Sequence, residues 1–289
     1  MGVRREAAAQ HFASAAAVSG IFSTQGTAIM PTNSGRTLVG IAASLAVCYA
    51  SLCCANLRAA TNDTQKFVEA LRQRRYFDTA SEYLEHLAND AHASTDAKRS
   101  LPYEQAVLLM EAAGRIRDAD VRDAQFEQAE SKLKDFITAN LHDELAADAR
   151  NRLANLLRYR AATAWSKADQ PSADKSKLRT FAETKYSQAR STYDDLVKQY
   201  RSQLDAIPKG EQQDQRMELG GKWIEAMLNS AEIAFEVGRI QEPGSSQRKK
   251  LLTEAAEQCS TLHERFPKLV GGGYARLYEG RCYEELGDR

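Results

Sequence analysis

The sequence predicts an all-α fold, and three observations carry that expectation. Residues that favour helices, namely Ala, Leu, Glu, Gln, Arg and Lys, dominate the chain. Only 6 Pro and 16 Gly interrupt 289 residues, too few for a loop-rich β fold. From residue 61 onward, apolar side chains recur at intervals of three and four, the period of helices with one buried face. With 43% hydrophobic and 27% charged residues, the chain has the material for a core and is not a disordered tail.

Residues 1–36 are rich in Ala and Ser and carry no recognisable element. They read as an unstructured extension, with Met30 as an alternative start. Thr37 to Leu57 is a run of 21 uncharged residues, TLVGIAASLAVCYASLCCANL, bracketed by Arg36 and Arg58. A bilayer needs about 20 apolar residues, but here the strongly apolar part is shorter and diluted by small residues. Residues 37–60 therefore read as a signal peptide cleaved after Ala55 or Ala59, with a retained membrane anchor as the alternative. Either reading makes the chain exported, or membrane-anchored through residues 37–57.

Residues 61–289 read as a run of helices at 63–74, 78–90, 102–117, 122–140, 143–168, 174–204, 215–238, 248–265 and 272–286. The punctuation comes from Pro102, ADQPSADK, IPKGEQQ, QEPGSS and FPKLVGGG. Three stripes stand out: Phe126, Ala129, Leu133, Phe136 and Ile137; Ala189, Tyr193, Leu196, Val197 and Tyr200; and Ala255, Cys259, Leu262 and Phe266. Each helix must bury its stripe against neighbours, and short connections make consecutive helices antiparallel.

Internal comparison reveals two recurring signatures. Gly280-x-x-Tyr283 followed by Gly287 matches Ala231-x-x-Ala234 followed by Gly238, and again Val107, Met110 and Gly114, at the same offsets. On the partner helices an Ala precedes a larger residue by four: Ala80/Leu84, Ala129/Leu133, Ala189/Tyr193 and Ala255/Cys259. Pro267 closes the last of these, 12 residues after its Ala.

These residues resemble the tetratricopeptide repeat (TPR), in which G-x-x-Y marks the first helix of a pair, A-x-x-x-F the second, and Pro the end. The resemblance covers 61–289 loosely and 222–289 best. The alanines fall 49, 60 and 66 residues apart, against a repeat period of about 34. The resemblance therefore implies a degenerate array: antiparallel hairpins stacked as a TPR-like α-solenoid, with a plain helical bundle as the alternative. The closing stretch YARLYEGRCYEELGDR reads as a first helix without its second, so the array is expected to be truncated there.

Chemistry is harder to find. Basic and acidic residues balance at 39 each and are interspersed, so no stripe tracks a nucleic-acid backbone. None of His11, His86, His92, His142 and His263 has a partner at metal-ligand spacing. There is no GxSxG and no phosphate-binding glycine loop after a strand; Gly271–Gly273 reads as a flexible joint. Cys259 and Cys282 read as buried apolar side chains, with pairing as the alternative if the chain is exported. The chain is accordingly expected to be no enzyme and to need no metal or cofactor.

In TPR arrays the first helix of each pair lines a groove. The resemblance thus implies binding candidates Glu225, Leu228, Glu232 and Phe235 on the helix at 215–238, and Tyr274, Leu277 and Arg281 on the last. Of these, Leu228 and Phe235 read first as core positions, since paired helices bury most such residues. The expected function is a protein–protein interaction scaffold or assembly factor of a bacterial envelope, with protein or peptide partners. The alternatives are an accessory region of a larger protein and a small-molecule-binding helical bundle.

Overall fold

Polar caps set where four of the described helices begin. In the computed structural model, which describes residues 63–287 apart from His142, Glu144, Ser172 and Lys209, nine helices and no strand occur among the described residues. They are α1 (63–73), α2 (Phe77–Asn89), α3 (Thr95–Ala113), α4 (Ala119–Ala139), α5 (Leu145–Ser166), α6 (Lys175–Ala206), α7 (Gln213–Arg239), α8 (Ser246–Arg265) and α9 (Val270–Leu286), with a single 3-10 turn, Lys167–Asp169, after α5. The all-α expectation holds, and most boundaries fall within a few residues of those predicted.

Two local expectations need correction. Pro102 does not open a helix; it lies inside α3, which starts seven residues earlier at Thr95. Ser94 sets that start by accepting a hydrogen bond from the Ala97 N–H at 3.1 Å, a cap that typically contributes about 1 kcal/mol. Asp118, Asp174 and Ser245 cap α4, α6 and α8 in the same way. Nor is Gly271–Gly273 a flexible joint. All three residues belong to α9, and the first two are close-packed. A Cβ on Gly271 would stand 2.5 Å from Ile224 Cγ2, and one on Gly272 only 1.9 Å from the Phe266 carbonyl oxygen. Glycine is required at 272 because two backbones touch, and at 271 because the Ile224 side chain fills the space.

The predicted stripes are buried except at Ile137, Val197 and Phe266, which are half-buried against the same core. Ala80, Ala129, Ala189 and Ala255 are fully inaccessible, and Leu84, Leu133, Tyr193 and Cys259 beside them are 1% exposed or less. Small residues at these positions let helices cross closely, and the larger side chain four residues on fills the adjacent hole. Each helix packs chiefly on its neighbours in sequence, and α9 also reaches α7. The core follows this order. Val68, Ala80, Leu84, Leu101 and Leu108 join α1–α3, and a larger cluster from Tyr103 to Ile240 runs through α3–α7. Phe235, Leu252, Ala255, Cys259, Ala275, Tyr278 and Cys282 join α7–α9.

No described helix is long and apolar enough to cross a membrane. The extension at 1–36, the Met30 start, the segment at 37–60 and His11 lie outside the described residues.

Candidate functional site

Alternate helices meet through polar contacts, and those contacts run from one end of the described residues to the other. Arg72 of α1 donates to Glu111 of α3 at 3.0 Å and lies 3.8 Å from Glu104. From α3, Tyr103 donates its hydroxyl to Asp148 of α5 at 2.5 Å. Arg152 closes that contact, donating to the same carboxylate at 2.6 Å and to the Tyr103 oxygen at 3.1 Å. Arg158 of α5 donates to Glu232 of α7 at 2.7 Å. The other Glu232 oxygen accepts from the Tyr278 hydroxyl of α9 at 2.6 Å.

The odd-numbered helices are thus tied in series, with Glu232 shared between α5 and α9. Even-numbered helices carry a parallel tie: Glu130 of α4 accepts from Lys185 of α6 at 2.9 Å, as well as from Lys134 and from Arg160 of α5.

Burial tunes these groups. Burial, then the adjacent Glu232 carboxylate, pushes the Tyr278 phenol well above its ordinary range. Burial also raises Glu104, against the pull of Arg72 and Arg152. For Glu130, burial opposes ionisation, but hydrogen bonds from Lys134 and Lys185 and their charges hold its carboxyl below the usual range. Most of these charges are committed to neighbours, so the arrangement ties helices together rather than presenting a proton donor or nucleophile. Cys259 and Cys282 are free, buried thiols, pushed up to about 12 and about 11, chiefly by burial. Among the described residues, no group of three or more His, Cys, Asp or Glu is placed to hold a metal ion. His263 donates from Nδ1 to the Gly272 carbonyl at 3.0 Å, a contact between α8 and α9.

The predicted groove residues divide. Glu232, Phe235 and Arg281 are brought together around Tyr278: the Arg281 guanidinium lies 5.1 Å from the Phe235 ring centre and 5.2 Å from that of Tyr278. Phe235 is 1% exposed and serves the core, and Leu228 is half-buried against the same cluster. Glu225, Tyr274 and Leu277 are exposed. Sequence reasoning missed Tyr103, Asp148, Arg152, Arg158 and Tyr278. Only Asp148 and Arg152 stand at helical spacing, four residues apart; the partners on other helices lie 45 to 74 residues away, where no local signal reaches.

Elsewhere the α6–α7 connection holds an open pocket of about 290 Å³ lined by Gly210, Glu211, Gln213, Arg216 and Met217, none of them a member of the polar series. The chain matches no protein-family model, and no curated protein aligns with it.

Proposed function

We propose that residues 61–289 form a degenerate TPR-like array of stacked hairpins, and that the protein is a non-enzymatic scaffold or assembly factor of the cell envelope. It binds protein or peptide partners along the side lined by its odd-numbered helices. The observation that carries this reading is the polar series Arg72–Glu104/Glu111, Tyr103–Asp148–Arg152, Arg158–Glu232 and Glu232–Tyr278. Stacked hairpins set every second helix on one side, and here each consecutive pair of odd-numbered helices is joined by at least one ion pair or charged hydrogen bond. Exposed side chains beside the series, Glu225 on α7 and Tyr274 on α9, supply a charged and an aromatic contact for an extended segment.

Export through the segment at 37–60 places that surface in the envelope. A photo-crosslinking residue at Glu225, introduced into the full chain in cells, is expected to capture a discrete partner. The same residue at Lys198, whose side chain is 77% exposed on α6, is expected to capture none. Equal labelling at both positions, or labelling at neither, would overturn the binding-face reading. Recovery of the full chain in the cytosol with residues 37–57 intact and no membrane association would overturn the envelope part.

A further inference from the structure

Helix α9 carries glycine and large apolar side chains on two faces, and the described residues cover one of them. Gly272, Ala275, Tyr278 and Cys282 pack on α7 and α8. On the other side stand Gly273, Arg276, Leu277, Gly280, Tyr283 and Glu284. Leu277 is 56% exposed, Tyr283 is 41% exposed and the Arg276 side chain is 63% exposed. A Cβ added to Gly273 or Gly280 would meet nothing within 4 Å.

At the matching offsets on α7, Ala231, Ala234 and Gly238 are buried, and a Cβ on Gly238 would stand 2.9 Å from Leu252 of α8. The outer face of α9 therefore has the composition of a helix-packing surface, glycine flanked by large apolar side chains, with no helix of the described residues on it.

We propose that this face docks on the same face of a second copy of the chain, with the two α9 helices antiparallel and crossing at Gly280. The charge pattern selects this occupant. In an antiparallel crossing, residues equally far from Gly280 on either side stand level with each other. Arg276 is then level with Glu284 of the second copy, Leu277 with Tyr283, and Gly273 with Gly287. Two Arg–Glu pairs form, one at each end of the contact, and glycine at the crossing lets the backbones approach closely. A parallel pairing would instead set Arg276 against Arg276 and Glu284 against Glu284, with like charges repelling at both levels.

Arg276 is anchored from within α9 by Glu279 at 2.7 Å, and its guanidinium keeps further N–H donors for the second copy. One crossing of 17-residue helices covers less than the roughly 800 Å² per partner of a standard interface, so the dimer is expected to dissociate in the micromolar range.

Sedimentation equilibrium of the full chain tests this. The wild type is expected to show a monomer–dimer equilibrium, and Arg276→Glu or Glu284→Arg alone to weaken it on the order of tenfold, since each puts like charges level twice per dimer. The double variant Arg276→Glu/Glu284→Arg, which restores opposite charges, is expected to regain the wild-type association. Gly280→Lys is expected to be monomeric with unchanged helix content, because none of the described residues would lie within 4 Å of a Cβ at Gly280. A wild type that stays monomeric at tens of micromolar would overturn the proposal and assign the face to a helix from elsewhere. Association indifferent to all four variants would overturn it too, because the contact would then lie outside α9.

Discussion

Helices α7 and α9 carry the same three-position signature and sit in different surroundings. In α7 the positions are Ala231, Ala234 and Gly238, all buried beneath α8. In α9 they are Gly280, Tyr283 and Gly287, all exposed. The shared glycine does different work in each. Gly238 stays helical and makes room for Leu252, whereas Gly287 ends α9 in the left-handed conformation at φ 85°. Gly114, the third member, ends α3 with a right-handed φ of −58° and touches only its own helix. Equal spacing therefore marks equal register on a helix, and the presence of a neighbour decides what the register is for.

The comparison is most strongly tested where α9 joins α8. Gly272→Ala drives a Cβ into the Phe266 carbonyl, and backbone has little room to yield. We expect a loss of about 3 kcal/mol in urea unfolding, with α9 released first in hydrogen exchange and α7 unaffected. If α9 stays as protected as in the wild type, the tight junction is not what seats it.

Next comes the tether between the two helices. Glu232→Gln leaves Arg158 without its counter-charge and weakens the bond from Tyr278. Removing one partner of a fully buried pair costs about 3–5 kcal/mol. Here the Arg158 and Glu232 side chains are 23% and 20% exposed, so about 2 kcal/mol is expected. The same contact has a pH signature. The Tyr278 phenol is raised above its ordinary value of about 10, so its contribution is complete below pH ~10 and is lost as pH rises beyond. Tyrosine ionisation followed by ultraviolet absorbance should coincide with loss of α9, and a normal titration of Tyr278 in the folded state would contradict the contact.

A matched pair of substitutions sharpens the contrast further. Gly238→Ala places a Cβ 2.9 Å from the fully buried Leu252 and should cost about 1–2 kcal/mol. Gly280→Ala, in open space, should raise monomer stability by about 0.5–1 kcal/mol through better helix propensity. Equal effects from the two would mean that α8 does not distinguish the helices.

The smallest effect concerns the thiols where α8 meets α9. Cys259 and Cys282 lie in the core with values near 12 and 11, so the folded protein should react with thiol reagents at pH 8 no faster than it opens. Rapid reaction of Cys282 alone would show α9 detaching independently.

Much of this fold was legible because helices announce themselves locally. The stripes through Phe126–Ile137 and Ala189–Tyr200, and the Ala80, Ala129, Ala189 and Ala255 series, follow from periodicity and are buried as expected, with Ile137 and Val197 half-buried at the stripe edges. Pro102 misled because proline usually sits at a first turn. The Ser94 cap, seven residues of unremarkable helix upstream, outweighs it. Gly271–Gly273 misled because three glycines signal freedom in isolation, while a close neighbour, invisible in one dimension, turns them into a requirement. Register placed Glu232 on a shared face but was silent on Arg158 and Tyr278, since an ion pair 74 residues apart leaves no trace in spacing.

The restriction of packing to helices adjacent or next-but-one in sequence also bears on how the chain reaches this structure. Most helix–helix contacts lie between neighbours in sequence, so the entropy lost before they form stays modest and relative contact order is low; the ties that span 45 to 74 residues then form on that frame. Refolding is expected on the millisecond scale or faster, growing outward from the α5–α6 pair, where Leu156, Leu157, Tyr186 and Tyr193 are almost wholly enclosed. The ends then join last and, under tension, leave first.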